Sequence, residues 1–536
     1  MIGERQSIET PFGQRPLVYA DYTASGRSLA SVESFIRQRV LPLYANTHSD
    51  SSLTGRQSNA LREEARRMIR NATSATADDA VIFCGSGATA AINRLIDIMG
   101  LRLSTDPARA ALLLEQIPEA QRPVVFVGPY EHHSNELPWR ESLCTVVSIP
   151  LDDNGHLDRD ALRDALIRMK DRPLRIGSFS AASNVTGIRT DTTAISRLLH
   201  DHDALTFWDY AAAAPYVRID MTDKDAVFLS PHKFIGGPGT PGVLIVKRHL
   251  ATHAVPAMPG GGTVSFVTPD KHDYLQDLER REEGGTPGIV EAIRAGLVFR
   301  VQQTVGTARI ESLERQHLQH ALEAWRSHPS IHLLGDPEAE RLSIVSLQIR
   351  AGERQLHYGL VTVLLNDLFG IQARGGCSCA GPYGHTLLGL DGPVSQQLRT
   401  EVLRGNQILR PGWVRMNFNY FIDEETLEYL IEAILFIADH GARLQGLYRF
   451  DASAGTWRHR RSANAPLISL EDFEPGVAST GTAICDRPLR DFLTEARELL
   501  PSIPEAPDDD DGLALDTLAE SARWFFRSPD QSDHST

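Results

Sequence analysis

Ala226-Val227-Phe228-Leu229-Ser230-Pro231-His232-Lys233-Phe234-Ile235-Gly236-Gly237-Pro238-Gly239 runs from a short apolar stretch into a turn of Gly and Pro, and Gly242-Val243-Leu244-Ile245-Val246 soon follows. Each apolar run has the length of a strand buried on both faces and is bounded by turn residues. The same unit recurs upstream at residues 81–84, 123–127, 143–147, 174–179 and 205–208. Helix-like stretches at residues 58–69, 88–98, 158–169 and 192–199 separate these runs. Apolar strands alternating with helices predict an α/β fold, with a large, mainly parallel sheet covered on both faces over residues 15–295. Functional groups in such folds gather at the carboxyl ends of the strands.

Residues 296–445 have another rhythm. A helical stretch at 296–326 precedes a β-rich run at 341–349, a helix at 356–369, a Gly/Cys loop, a strand at 412–418 and a helix at 424–437. This predicts a smaller α+β C-terminal domain. From residue 446 the patterning weakens, and residues 501–511 hold three prolines and four consecutive aspartates, a composition that stays solvated. The reading is therefore an acidic extension over 446–536, partly disordered, with a short amphipathic helix at 516–526. No internal repeat is evident.

Composition narrows the class. At roughly 100–200 residues per domain, 536 residues allow two to four domains. Hydrophobic and charged fractions of 42% and 23% are those of a globular protein. No run approaches the ~20 apolar residues of a membrane span, and residues 1–10 lack the pattern of a secretory signal. Five cysteines make no disulfide framework and point to a reducing cytoplasm. A net charge of -15 disfavours nucleic acid. Within it, residues 446–536 carry 9 Lys/Arg against 17 Asp/Glu, so -8 belongs to the extension.

Lys233 follows a strand and precedes a Gly/Pro turn. It reads either as a surface lysine or as an amine desolvated enough to form a Schiff base, with Ser230 and His232 beside a phosphate. Asp209 ends the run Phe207-Trp208-Asp209-Tyr210. It is either a helix N-cap or the acidic partner that keeps a pyridine nitrogen protonated. Gly85-Ser86-Gly87-Ala88-Thr89 follows a strand and opens a helix, where free N–H groups cradle an anion and Thr89 adds a hydroxyl. In Glu131-His132-His133-Ser134-Asn135 the adjacent histidines point different ways and lack a spaced third ligand, so stacking of His132 on an aromatic cofactor is favoured over metal. Arg374-Gly375-Gly376-Cys377-Ser378-Cys379-Ala380-Gly381 offers a thiolate on a mobile loop and a guanidinium for a substrate carboxylate.

Taken in order, these motifs resemble the class V aminotransferase-like pyridoxal phosphate enzymes, and the cysteine desulfurase and selenocysteine lyase family in particular. The resemblance spans residues 19–436. It implies the fold-type I architecture and a homodimer with sites at the interface. Residue by residue, it makes Lys233 the Schiff-base lysine, Asp209 the partner of the pyridine nitrogen and His132 the stacking histidine. Asn184 stands near the cofactor hydroxyl and the substrate, and Ala88, Thr89, Ser230 and His232 form the phosphate cradle. Thr286, in Glu283-Gly284-Gly285-Thr286-Pro287, serves the neighbouring subunit's phosphate. Arg374 holds the substrate carboxylate, and Cys379 is the sulfur-accepting cysteine. Ala45-Asn46-Thr47-His48 matches the substrate-access loop.

Two departures stand out. The family usually carries glutamine three residues after the aspartate, where this chain has Ala212. Cys377 is a second thiol beside the nucleophile. The function implied is a cytoplasmic cysteine desulfurase that releases alanine from L-cysteine, leaves a persulfide on Cys379 and hands sulfur to an acceptor protein. The alternative is another reaction on the same scaffold, a C–S lyase, epimerase or aminotransferase with no cysteine nucleophile.

Overall fold

A computed structural model describes residues 1–47, 49–461, 468–477, 483–504 and 511–527. The large sheet has seven strands: β1 (Asp79–Cys84), β2 (Val124–Val127), β3 (Thr145–Ser148), β4 (Arg175–Ser180), β5 (Leu205–Asp209), β6 (Ala226–Leu229) and β7 (Gly242–Lys247). Their order is β1-β7-β6-β5-β4-β2-β3. Strands β2 to β6 run parallel, and β7 lies antiparallel between β1 and β6. The strand runs read from the sequence are those observed.

Alternation of side chains sorts this sheet into two cores. Val81, Phe83, Val124 and Phe126 face Ala65 and Ile69 of helix α1 (Leu53–Ala72), Leu162 and Leu166 of α3 (Arg159–Arg168), and Ile195 and Leu199 of α4 (Thr192–His200). Ile82, Val125, Val127 and Phe207 turn the other way onto Ala91, Ile92 and Leu95 of α2 (Gly87–Ile98). Burying each large side chain contributes about 1.5–3 kcal/mol, and burial on both faces explains the near-continuous apolar strands.

The single helix expected over 296–326 is two, α5 (Ile289–Val305) and α6 (Thr307–Arg326). Gly306, at φ +85°, breaks them, because the left-handed region is open to glycine at no steric cost. Helix α5 also crosses α1 closely: a Cβ on Gly296 would lie 2.6 Å from the Cα of Ala65.

The smaller domain has an antiparallel sheet of β8 (Ile331–Leu333), β9 (Ile344–Ala351), β10 (Arg374–Gly376) and β11 (Trp413–Asn417), in the order β8-β9-β11-β10. Helices α7 (Tyr358–Phe369) and α8 (Glu424–Leu444) pack against it. The segment after residue 445 joins this core. It forms the hairpin β12 (Tyr448–Asp451) and β13 (Thr456–His459), then α9 (Leu489–Leu499) and α10 (Thr517–Ser521). Phe450, Trp457, Phe492 and Phe525 are buried in one cluster with Leu360, Leu364 and Ile434. In space, then, these parts of the extension are continuous with the small domain. The solvated stretch expected at 501–511 falls mainly on residues 505–510, outside the described residues. Asp511 itself is buried and accepts from Arg527. The helix expected at 516–526 stops at Ser521, and Trp524 and Phe525 follow it as aromatic anchors. Among the described residues, no helix is long and apolar enough to cross a membrane.

Candidate active site

The carboxyl ends of the parallel strands deliver the site. Strand β5 ends in Asp209, β6 exits into Ser230, β2 leads to His132, β4 leads to Asn184, and β1 turns into α2 at Gly85–Gly87. The small domain closes over them with Arg374, Cys379 and Arg415. Together they line a cavity of about 240 Å³. Of the residues singled out from the sequence, Ala88, Thr89, His132, Asn184, Asp209, Ser230, His232, Lys233, Arg374 and Cys379 all line it.

Lys233 sits on the turn Pro231–Lys233 and faces the cavity. Burial lowers its amine from 10.5 to about 8, although the carboxylate of Asp209 pulls the other way. Asp209 is buried, and desolvation raises its carboxyl even though the Ala211 N–H donates to it at 2.8 Å. The opposing pulls on the pair leave a lysine closer to neutral than one in water. His132 is driven down to about 3, first by burial and then by the charge on Lys233. Its Nδ1 accepts from the Ser134 N–H at 3.1 Å, so the proton of the neutral ring resides on Nε2.

The anion cradle is tight. The Ala88 N–H, in the first turn of α2, donates to Ser230 Oγ at 2.9 Å. Gly87 has φ +57°, and a Cβ there would meet His232 Cε1 at 2.8 Å and Ser230 Oγ at 2.9 Å. Thr89 Oγ1 shares a hydrogen bond of 2.6 Å with Ser134 Oγ, which ties the cradle to the His132 turn. Helix amides, two hydroxyls and an imidazole at one helix N-terminus suit a phosphate.

On the other wall stands a charged group that the sequence reading missed. Arg415, between Val414 and Met416 in β11, is buried; it donates to Asp21 Oδ1 and to the Asn184 carbonyl, each at 2.9 Å. Its Nε has no partner, nor does the buried Oδ1 of Asn184. Arg374 donates from Nε to Asp21 Oδ2 at 2.8 Å, so Asp21 bridges the two guanidinium groups. Its side chain is 49% exposed. An Arg flanked by Trp413, Val414 and Met416 inside a strand was the available signal, since a buried cation requires a partner or a ligand.

The cysteine loop is held at two points. Asn184 Nδ2 donates to the Ser378 carbonyl at 2.8 Å, and the His133 N–H donates to the Cys379 carbonyl at 2.8 Å. Ser378 and Cys379 have φ of 52° and 56°, which presents Cys379 as an exposed thiol at the rim. Thr286 is not brought to this cavity. It is exposed, accepting from Asn46 Nδ2 at 3.4 Å. Of the expected substrate-access segment, His48 lies outside the described residues. Ala212 lines the cavity where the family's glutamine was expected.

These features fit pyridoxal phosphate. The cradle is one that a Cβ would fill, the amine of Lys233 is desolvated, Asp209 is a buried acid, and Asn184 Oδ1 is an unmet acceptor at the wall. Among the described residues no group of three or more His, Cys, Asp or Glu side chains is placed to hold a metal ion.

Residues 18–430 match the family model for aminotransferase class-V. A probable cysteine desulfurase of Staphylococcus epidermidis (strain ATCC 35984) is 28% identical over 382 residues, covering 70% of this chain and 86% of the relative. A probable cysteine desulfurase of Staphylococcus aureus (strain COL) is 27% identical over 373 residues, 68% of this chain and 84% of the relative. Among solved structures, the apo cysteine desulfurase of Thermococcus onnurineus NA1 superposes with a TM-score of 0.64 at 22% identity, covering 79% of this chain and 95% of that one. The cysteine desulfurase CsdA of Escherichia coli gives 0.60 at 21% identity, with coverages of 78% and 93%. These structures share the fold-type I architecture expected from the sequence.

Proposed function

The chain belongs to the aminotransferase class-V family, and from that premise we propose that it is a pyridoxal phosphate-dependent cysteine desulfurase, taking L-cysteine to alanine with a persulfide left on Cys379. One observation carries the reading: Cys379 lines the same cavity as Lys233, Asp209, Arg374 and Arg415, on a loop that opens into it.

Pyridoxal phosphate, when bound, supplies an electron-poor ring that stabilises negative charge at the substrate's α-carbon. The Ala88 amide, Thr89, Ser230 and His232 would bind its phosphate, while Asp209 would keep a proton on its ring nitrogen. His132, neutral, would stack on the ring. Lys233 Nζ, lowered to about 8, is the base that takes the α-proton. Arg415 and Arg374 would hold the substrate carboxylate, the former from a buried position that excludes water. Cys379 Sγ, as thiolate, attacks the substrate sulfur. An S–S bond forms as the C–S bond breaks, and the released carbon is protonated to alanine. We place Thr286 at the phosphate of a second subunit in a homodimer, which its exposed position apart from the cavity supports. The persulfide would pass to an acceptor protein in the cytoplasm.

The test is incubation of the purified holoprotein with L-cysteine, with alanine quantified and the persulfide mapped by mass. A persulfide on Cys379, and loss of alanine formation in Cys379→Ala, are expected. Undiminished alanine and sulfide from Cys379→Ala would instead favour a C–S lyase with a structural cysteine.

A further inference from the structure

The segment beyond residue 430, past the last residue matched by the family model, packs on the head of α7, whose Tyr358 touches the strand leading into the cysteine loop. Trp524 stacks on the ring of Tyr358 at 6.2 Å and 15°, and on His357 at 5.5 Å and 26°. Its indole N–H is fixed to the Leu409 carbonyl at 3.0 Å. From the hairpin, Trp457 Nε1 donates to His357 Nδ1 at 3.2 Å, and the Phe526 N–H donates to the Gln355 carbonyl at 2.7 Å. The entrance to α7 is thus gripped from two sides by residues of the extension.

Tyr358 passes this grip inward. A Cβ on Gly375 would lie 2.8 Å from Tyr358 Cδ2, and one on Gly412 would lie 2.7 Å from Tyr358 Cε1. The ring therefore rests on the glycine backbones of Gly375 in β10 and of Gly412, just before the neighbouring β11. Gly375 and Gly376 connect Arg374 to Cys377, and Gly376, Ser378 and Cys379 have φ of 122°, 52° and 56°. A loop with that many left-handed residues holds one conformation only when its surroundings impose it.

We propose that Trp524 is a positioning residue for the thiol step: through Tyr358 it braces the Gly375–Gly376 strand, and so fixes where the Arg374 and Cys379 side chains stand. The inference rests on the desulfurase reading for its kinetic arm alone. It does not touch the cradle around Gly87 or the Lys233 turn, so the two halves of the site separate experimentally.

The experiment compares full-length holoprotein with Trp524→Ala and Trp524→Phe. In Trp524→Ala, kcat for alanine formation falls about tenfold or more, as misplacement of a reacting group by ~1 Å does, KM for L-cysteine rises by no more than about fivefold through Arg374, and the visible cofactor band holds. Trp524→Phe, which keeps a flat ring against Tyr358, restores most of the rate. In parallel, hydrogen exchange of the peptide spanning residues 374–381 is at least about threefold faster in the alanine variant, and near the parental rate in the phenylalanine variant. If Trp524→Ala fails to fold, Trp524→Leu, which fills space without a flat face, takes its place with the same readings. Unchanged exchange and unchanged kcat in a folded variant overturn the proposal, as does equal loss in the alanine and phenylalanine variants. Should no variant or parent form alanine, the desulfurase reading fails and the exchange measurement alone decides the brace.

Discussion

Replacing Arg415 with lysine separates the two arginines at the cavity. Arg415 donates one hydrogen bond of 2.9 Å to Asp21 and another to the Asn184 carbonyl, leaving Nε for a ligand. Lysine keeps the charge but not the fork, so at best one of those bonds survives together with a point contact to the substrate. A charge-assisted bond in such a setting contributes ~1.5–3 kcal/mol, and the bidentate hold on a carboxylate at least one more. Kinetically, Arg415→Lys is expected to lower kcat/KM for L-cysteine about a hundredfold, equivalent to ~2.7 kcal/mol. Arg374 makes the contrast. Its side chain is 49% exposed, although its partner Asp21 is buried, so Arg374→Lys costs about fivefold, or ~1 kcal/mol. Alanine release at saturating and limiting L-cysteine reads both, with the cofactor band as a check on integrity. A loss under about threefold in Arg415→Lys, or a larger loss in Arg374→Lys, would refute the reasoning that burial decides which arginine binds.

Two further outcomes test the rest of the site. Burial holds Lys233 near 8 against 10.5 for a free lysine; between those values the unfolded chain binds more protons, so stability rises with pH across that window and the full cost is present below it. Cofactor-free Lys233→Met is therefore about 3 kcal/mol more stable than the parent near neutral pH, with the gap closing toward pH 10.5; urea midpoints that kept a constant gap would contradict this. Gly87→Ala adds a Cβ against His232 and Ser230 at positive φ, with a strain of ~1–2 kcal/mol. It should weaken pyridoxal phosphate retention about tenfold in equilibrium dialysis, and undiminished retention would remove the cradle from that role.

The large sheet was legible because most of its strands are buried on both faces and so write short apolar runs into the sequence, the half-buried edge strand β3 being the exception. Lys233 and Asp209 stood out for the related reason that they end or follow such runs, but each had a second reading there, and the family resemblance assigned their roles and supplied Asn184. Arg415 was not, because it lies inside a strand and its meaning depends on Asp21, nearly four hundred residues away. The break at Gly306 was hidden since one glycine within a helical pattern is common, and only its φ of +85° makes it a terminus. The extension was misleading in another way. Its anchors Phe450, Trp457, Phe492 and Phe525 are spaced singly among polar residues, so composition records the acidic run and is blind to the part that packs. Thr286, which the resemblance assigned to a neighbouring subunit's phosphate, stands exposed and apart from the cavity in the single chain.

The reversed direction of β7 has a consequence for the order of assembly. Strands β6 and β7 pair in register, from Leu229 with Val243 to Ala226 with Val246, and the lysine lies on the connection between them. Such a local pairing closes a short loop and is entropically inexpensive. The opposite wall of the cradle comes from β1, whose pairing with β7 joins Cys84 to Gly242 across a far longer loop. Contacts of that separation close a longer loop at greater entropic cost. The amine of Lys233 thus sits on a locally closed hairpin, while the pocket at the head of α2 is completed by a strand distant in sequence, so the expectation is that ligand capture follows docking of the edge strand.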